Sequence, residues 1–244
     1  MFIDFLKQLL FREQKMTDSG SIKIEFAVQI SGSKCADKVL TALEGVGQVD
    51  VDVAKGSVLV DTNLPWIDIQ RRIEATGRRA VLSGFGGQSA VSMVAHGNES
   101  TGVRGVVRFC ALTANEKGAV VDGAIDGLEA DRPYKLNVHE CGDILEGCAS
   151  VGAVYDSNDI RSDKDGRATV RLVNDRLAVW DIIGRSVVVA EADDDKRLAC
   201  GIIARSAGIF ENYKKIGACD GVTIWDERYR PLAGFKRRQD NSAL

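Results

Sequence analysis

From residue 21 to residue 83 the apolar residues change period in a fixed order, and few folds satisfy that order. Ile22, Ile24, Phe26 and Val28 alternate with polar neighbours, the period of a half-buried strand. In CADKVLTALEG, Val39, Leu40 and Leu43 fall on one helical face and Gly45 supplies a stop. Val49, Val51 and Val53 alternate again, and Lys55-Gly56 turns the chain into a partner strand over 57–60. Leu64-Pro65-Trp66 opens a second helix with Ile67, Ile69, Ile73 and Ala75 inside, ended by Gly77. Residues 79–82 make the last strand. Strand-helix-strand-strand-helix-strand is the ferredoxin-like βαββαβ arrangement.

The texture then changes. GFGGQS, residues 84–89, is rich in glycine, and 84–101 reads as a flexible linker. The same hexapeptide lacks the strand-to-helix setting of a phosphate loop. From residue 102 short apolar runs recur over 105–109, 119–125, 134–139, 168–172, 186–190 and 199–204, separated by Gly- and Asp-bearing turns. Many short strands with such turns and no long helix predict an antiparallel β-sandwich over 102–205. The expected fold class is therefore multidomain, α+β followed by all-β. Residues 206–244 read as a less regular tail ending in the basic stretch FKRRQDNSAL.

Composition narrows the function classes. The 244 residues carry a net charge of -3, which gives no sign of nucleic-acid or acidic-membrane binding. No apolar run approaches the roughly 20 residues that span a bilayer. Residues 1–20 contain an amphipathic stretch (Phe2, Phe5, Leu6, Leu9, Leu10) without the cleavage site of a secretory signal. Its Asp4 and Glu13 also disfavour a mitochondrial presequence. It reads as a poorly ordered extension upstream of a second start at Met16, and a cytoplasmic setting is expected. The six cysteines, Cys35, Cys110, Cys141, Cys148, Cys200 and Cys219, are too few and too scattered for a disulfide scaffold.

Several stretches together resemble the family of copper chaperones for Cu/Zn superoxide dismutase. Residues 21–83 look like the heavy-metal-associated domain of Atx1-type carriers. GVVRF (105–109), NVHECGD (137–143), GCASVG (147–152), SDKDGRA (162–168), DIIGRSVVV (181–189) and RLACGII (197–203) are dismutase-like. IGACDGVTIWDERYRPLAG (216–234) resembles the third region that these chaperones carry and dismutases lack. The resemblance implies a Greek-key dismutase-like sandwich, and it implies that Cys148 and Cys200 form the intrasubunit disulfide, the alternative being two buried thiols. It places Gly142, Ile182, Ile183, Gly184 and Ile202 in the segments through which dismutase subunits pair. A face of that kind would dock on a dismutase subunit as a heterodimer, or serve self-association as a homodimer.

The dismutase chemistry itself is not expected. A copper–zinc pair needs about six imidazoles, and this chain has two histidines, His96 and His139. The first histidine of the His-Val-His-Glu pattern is Asn137 here; Val154 and Ala190 stand where two others belong. Only residues 155–160 remain of the long zinc loop, so no structural zinc is expected. His139 reads as a core residue and Arg197, matching the arginine that guides superoxide, as structural.

Both thiol motifs that the resemblance implies are reduced to one cysteine. Copper(I) prefers two thiolates, which the carriers supply as Met-x-Cys-x-x-Cys. The matching Ile30-Ser31-Gly32-Ser33-Lys34-Cys35 keeps Cys35 alone, either a weakened copper ligand or a vestige. The tail's Cys-x-Cys is Gly217-Ala218-Cys219, leaving Cys219 as candidate ligand and exchange thiol. Cys110 and Cys141 read as packing residues. The reading that follows is a metallochaperone rather than an enzyme. It would handle copper(I) transiently for a Cu/Zn dismutase; the alternative is a dismutase-binding module that delivers nothing.

Overall fold

The structure is a computed structural model that describes residues 20–97, 100–113, 116–212 and 223–227. The first domain has strands β1 (Ile22–Val28), β2 (Gln48–Asp52), β3 (Ser57–Thr62) and β4 (Ala80–Phe85). Helix α1 (Ser33–Ala42) follows β1 and helix α2 (Trp66–Ala75) follows β3. The strands lie in the order β2-β3-β1-β4, with every pairing antiparallel. The alternation in β1 turns Ile22, Ile24, Phe26 and Val28 toward the helices. There they meet Val39 and Leu43 of the first helical segment and Ile69 and Ile73 of α2 in one core. The βαββαβ order is as expected.

The second domain holds β5 (Ser89–Val94), β6 (Arg104–Ala111), β7 (Ala119–Asp126), β8 (Pro133–His139), β9 (Val154–Arg161), β10 (Ala168–Asn174), β11 (Ser186–Glu191) and β12 (Arg197–Arg205). A single helical turn, α3 (Val179–Ile182), precedes β11. The order across the sheet is β10-β7-β6-β5-β12-β11-β8-β9, again antiparallel throughout. The sheet curls until its two outer strands meet side by side. Asn174 Nδ2 donates to Asp156 Oδ2 at 2.6 Å and to Asn158 Oδ1 at 3.0 Å, tying β10 to β9. Inside lie Val107, Phe109, Val121, Ile125, Leu136, Val138, Val187, Val189 and Ile203. This is the expected dismutase-like sandwich.

Two expectations fail locally. The stretch 84–101 is not a plain linker, because residues 89–94 form β5, paired to β6 on one side and to β12 on the other. The glycines before it serve close packing instead of flexibility. A Cβ on Gly84 would meet Gly208 O at 2.3 Å, and one on Gly86 would meet Lys23 Cβ at 2.9 Å. Residues 155–160, read as the remnant of a long loop, belong to β9. Asp156 and Ile160 alternate inward along it, a period hidden by the polar residues between them.

Past β12 the chain returns to the first domain. Gly208 bridges in parallel to Phe85, covering the free edge of β4. Phe210 N–H donates to Glu25 Oε2 at 2.8 Å, and Asn212 O accepts from Ser83 Oγ at 3.2 Å. A last short helix, α4 (Ile224–Glu227), packs on β4. Residues 1–19 and the tail cysteine, Cys219, lie outside the described residues.

Candidate functional site

Cys35 sits in the first turn of α1, one of the residues whose main-chain N–H groups point toward the helix start. Gly32 caps that helix without any side-chain hydrogen bond. Cys35 N–H donates to Gly32 O at 3.0 Å, and the residue is 9% exposed. Two groups surround the sulfur. Ser31 Oγ lies 3.3 Å from Sγ, and Arg78 Nη2 donates to Sγ at 2.9 Å. Hydrogen bonding from the side chain and main chain of Ser31, with the charge and hydrogen bond of Arg78, holds the thiol below its ordinary pKa. Arg78 follows α2 in the chain and was not picked out from the sequence. The signal available there was only a basic pair, Arg78-Arg79, after the Gly77 stop.

A second thiol is missing from this site for a reason of composition, not of space. Gly32 has φ 166° and ψ 177°, extended backbone that any residue adopts. A Cβ built there meets nothing within 4 Å.

The sandwich holds no comparable metal chemistry. Among the described residues there is no cluster of three or more His, Cys, Asp or Glu side chains able to share an ion. Asn137 Oδ1 accepts from Ser157 Oγ at 2.6 Å, Val154 is half exposed and Ala190 is buried. His139 is 1% exposed and its Nδ1 is 3.0 Å from Gly152 O. Burial, then the charge of Arg197, depress its pKa, with the Gly152 contact opposing them. Arg197 Nη1 donates to Cys148 O at 2.6 Å and Nη2 to Gly152 O at 3.2 Å, which bolts the 148–152 loop to β12. Cys148 and Cys200 are joined as a disulfide.

The other thiols behave differently. Cys110 is buried and donates to Gly86 O, and burial pushes its pKa up to about 12. It packs into the first domain's core together with Val120, a role the packing reading anticipates. Cys141, expected to pack, is exposed instead. The turn carries it outward, its N–H donating to Val151 O at 2.9 Å.

Gly142, Ile183, Gly184 and Ile202 come together. A Cβ on Gly142 would strike Gly184 O at 2.3 Å and lie 3.3 Å from Ile202 Cγ2. Ile183 and Ile202 are each 42% exposed beside this contact. Ile182 does not join them: it is fully buried in the sandwich core. It is the last residue of α3, and that turn directs consecutive isoleucines to opposite sides.

Comparison with known proteins matches residues 25–79 to the heavy-metal-associated domain and residues 103–203 to copper/zinc superoxide dismutase (SODC). The chain is 40% identical to the copper chaperone for superoxide dismutase of Mus musculus, over 92% of this chain and 96% of that protein. It is also 40% identical to that of Homo sapiens, over 91% and 96% respectively. This chain belongs to the copper chaperone for superoxide dismutase family. A chloroplastic copper chaperone for superoxide dismutase of Oryza sativa is 34% identical, over 83% of this chain and 70% of that protein. These relatives are named as chaperones; the Cys35 loop lies within the first matched domain, and the sandwich contains the second.

Proposed function

We propose that this protein docks on a Cu/Zn superoxide dismutase subunit and assists copper insertion and disulfide formation in it. Docking would use the Gly142, Ile183, Gly184 and Ile202 face, forming a heterodimer in place of the client's own twin. A homodimer through the same face is the competing state. The setting would be cytoplasmic. The observation that carries the reading is the treatment of Cys35. Ser31, Arg78 and the start of α1 favour its thiolate, the form that binds copper(I). One thiolate holds copper(I) weakly, so the second ligand would come from the client, from glutathione or from Cys219.

Cys219 would serve the disulfide step. Its thiolate condenses with a sulfenic acid on the client, releasing hydroxide and forming a mixed disulfide. A second client thiolate then displaces Cys219 and leaves the client's own disulfide closed. The oxidising equivalent is the sulfenic acid, so no thiol beyond Cys219 is required from the chaperone.

Arg78 favours a second reading, that the protein docks without delivering. A guanidinium on the sulfur stabilises the thiolate but repels a copper cation, so loading copper requires Arg78 to move aside. The deciding experiment mixes the protein, loaded with one equivalent of copper(I) in glutathione buffer, with disulfide-reduced, zinc-loaded, copper-free dismutase. Superoxide consumption and client disulfide formation that fall in Cys35→Ala and Cys219→Ala variants support delivery. A heterodimer by sedimentation with no activation supports the docking module instead.

A further inference from the structure

One guanidinium spans the boundary between the two domains. Arg171, on β10, donates through Nε to Asn63 O at 3.0 Å. Its Nη2 donates to both Gly20 O and Thr62 O at 2.9 Å, and its Nη1 to Asp122 Oδ2 at 2.9 Å. Three of the four acceptors are main-chain carbonyls of the first domain, at the foot of β1 and in the turn from β3 into α2. Asp122, on β7, completes the junction, because the same Oδ2 accepts the N–H of Trp66, the first residue of α2, at 3.1 Å. Arg108, on β6, stacks its guanidinium 4.7 Å from the Trp66 ring and 5.9 Å from that of Phe85. Asp122 is fully buried and the Arg171 side chain is 11% exposed.

We infer that Arg171 is an interdomain clasp that fixes the first domain in one orientation on the sandwich. The carbonyls it binds would be hydrated if the domains parted, and Asp122 would regain its water, so the clasp adds little net affinity. Direction is what it supplies. A planar fork with five donors reaches four acceptors in one geometry, which a flexible ammonium cannot. Only residues 86–88 separate β4 from β5, and this short connection is no swinging tether, since Gly84 and Gly86 press against Gly208 and Lys23.

The orientation has a consequence for the thiol. The clasp grips α2 at its Trp66 end, whereas Cys35 is hydrogen-bonded to Arg78, beyond the other end of a helix about 15 Å long. The docking face lies among β8, β11 and β12, and the clasp lies on β10, β7 and β6, the other half of the sheet. For a client docked as proposed above, a reading on which this consequence rests, the clasped state holds Cys35 at one fixed position relative to the docking face.

Residual dipolar couplings of the full chain in a weakly aligning medium test this. In the wild type a single alignment tensor should fit the amides of both domains. In Arg171→Met two tensors should be needed, while amide shifts of strands distant from the junction stay in place. Arg171→Lys should also need two, and it carries the same test if the methionine variant does not fold. A wild type that already needs two tensors overturns the proposal. So does a folded Arg171 variant that keeps one.

Discussion

Arg78 Nη2 hydrogen-bonds to Cys35 Sγ at 2.9 Å across the gap between the end of α2 and the start of α1. With Ser31 it lowers the thiol's pKa, so the thiolate persists to lower pH than in a free cysteine. Removing the donors should move the pH midpoint of Cys35 alkylation upward, with Ser31→Ala the larger effect. Arg78→Ala should slow alkylation at neutral pH several-fold. Rates of iodoacetamide labelling followed by mass spectrometry across a pH series read both, and an unmoved midpoint in the double variant would show that neither group governs the thiol.

Gly32→Cys should restore a two-thiol loop without strain. The backbone there is extended and the added Cβ is unobstructed. A second ligand on the same chain makes its attachment intramolecular, so copper(I) should be held about tenfold more tightly or better. Competition against a colorimetric copper(I) chelator measures the gain. The thermal midpoint should stay within the range of an ordinary surface substitution.

Asp122 gives the stability a pH dependence of unusual sign. Burial, opposed by Arg171, by the Trp66 N–H and by Arg108, pushes its pKa up to about 6. A raised carboxyl pKa means the folded chain keeps a proton that the unfolded chain has lost. Its contribution is full below about pH 4 and declines as pH rises through about 6. Asp122→Asn stays neutral throughout and should remove that decline. The difference in thermal midpoint between the two proteins, followed from pH 4 to 7, checks the sign.

Cutting the disulfide should be costly. Cys148 and Cys200 are 52 residues apart in sequence, and closing a loop of that length restricts the unfolded chain by about 4 kcal/mol in the entropic account. Cys200→Ala should lower the urea midpoint accordingly. Reduction of the wild type should reproduce most of the loss.

Gly142→Val tests the proposed docking face. Even its Cβ would collide with Gly184 O, so the two loops must separate and the surface beside Ile183 and Ile202 must change shape. Binding to a dismutase subunit should weaken at least tenfold, about 1.4 kcal/mol. Sedimentation or calorimetry with copper-free client gives the number, while far-UV circular dichroism reports whether the sandwich is intact.

The parts of this molecule that were legible in its sequence are those written in hydrophobic period. β1 and α2 show one buried face each, and the order of such faces specifies the first domain. The disulfide pair and the glycines of the proposed docking face follow from family resemblance, since no spacing rule pairs Cys148 with Cys200. What stayed hidden depends on partners distant in sequence. β5 looks like linker because its neighbours β6 and β12 supply the reason for its extended form. Ile182 and Ile183 cannot be sorted into core and surface without the turn between them. Arg78 and Arg171 are ordinary charges until the fold puts a thiol beside one and three carbonyls beside the other.

β9 and β10, the two outer strands of the sandwich, cover each other through side-chain hydrogen bonds, and Gly208 shields one side of the first domain's sheet. The outer edge of β2 remains, guarded by the charges of Asp50 and Asp52. A chain built this way resists runaway strand addition. It can recognise another protein through the shape of its side-chain surfaces, and it offers little purchase for aggregation while it waits for one.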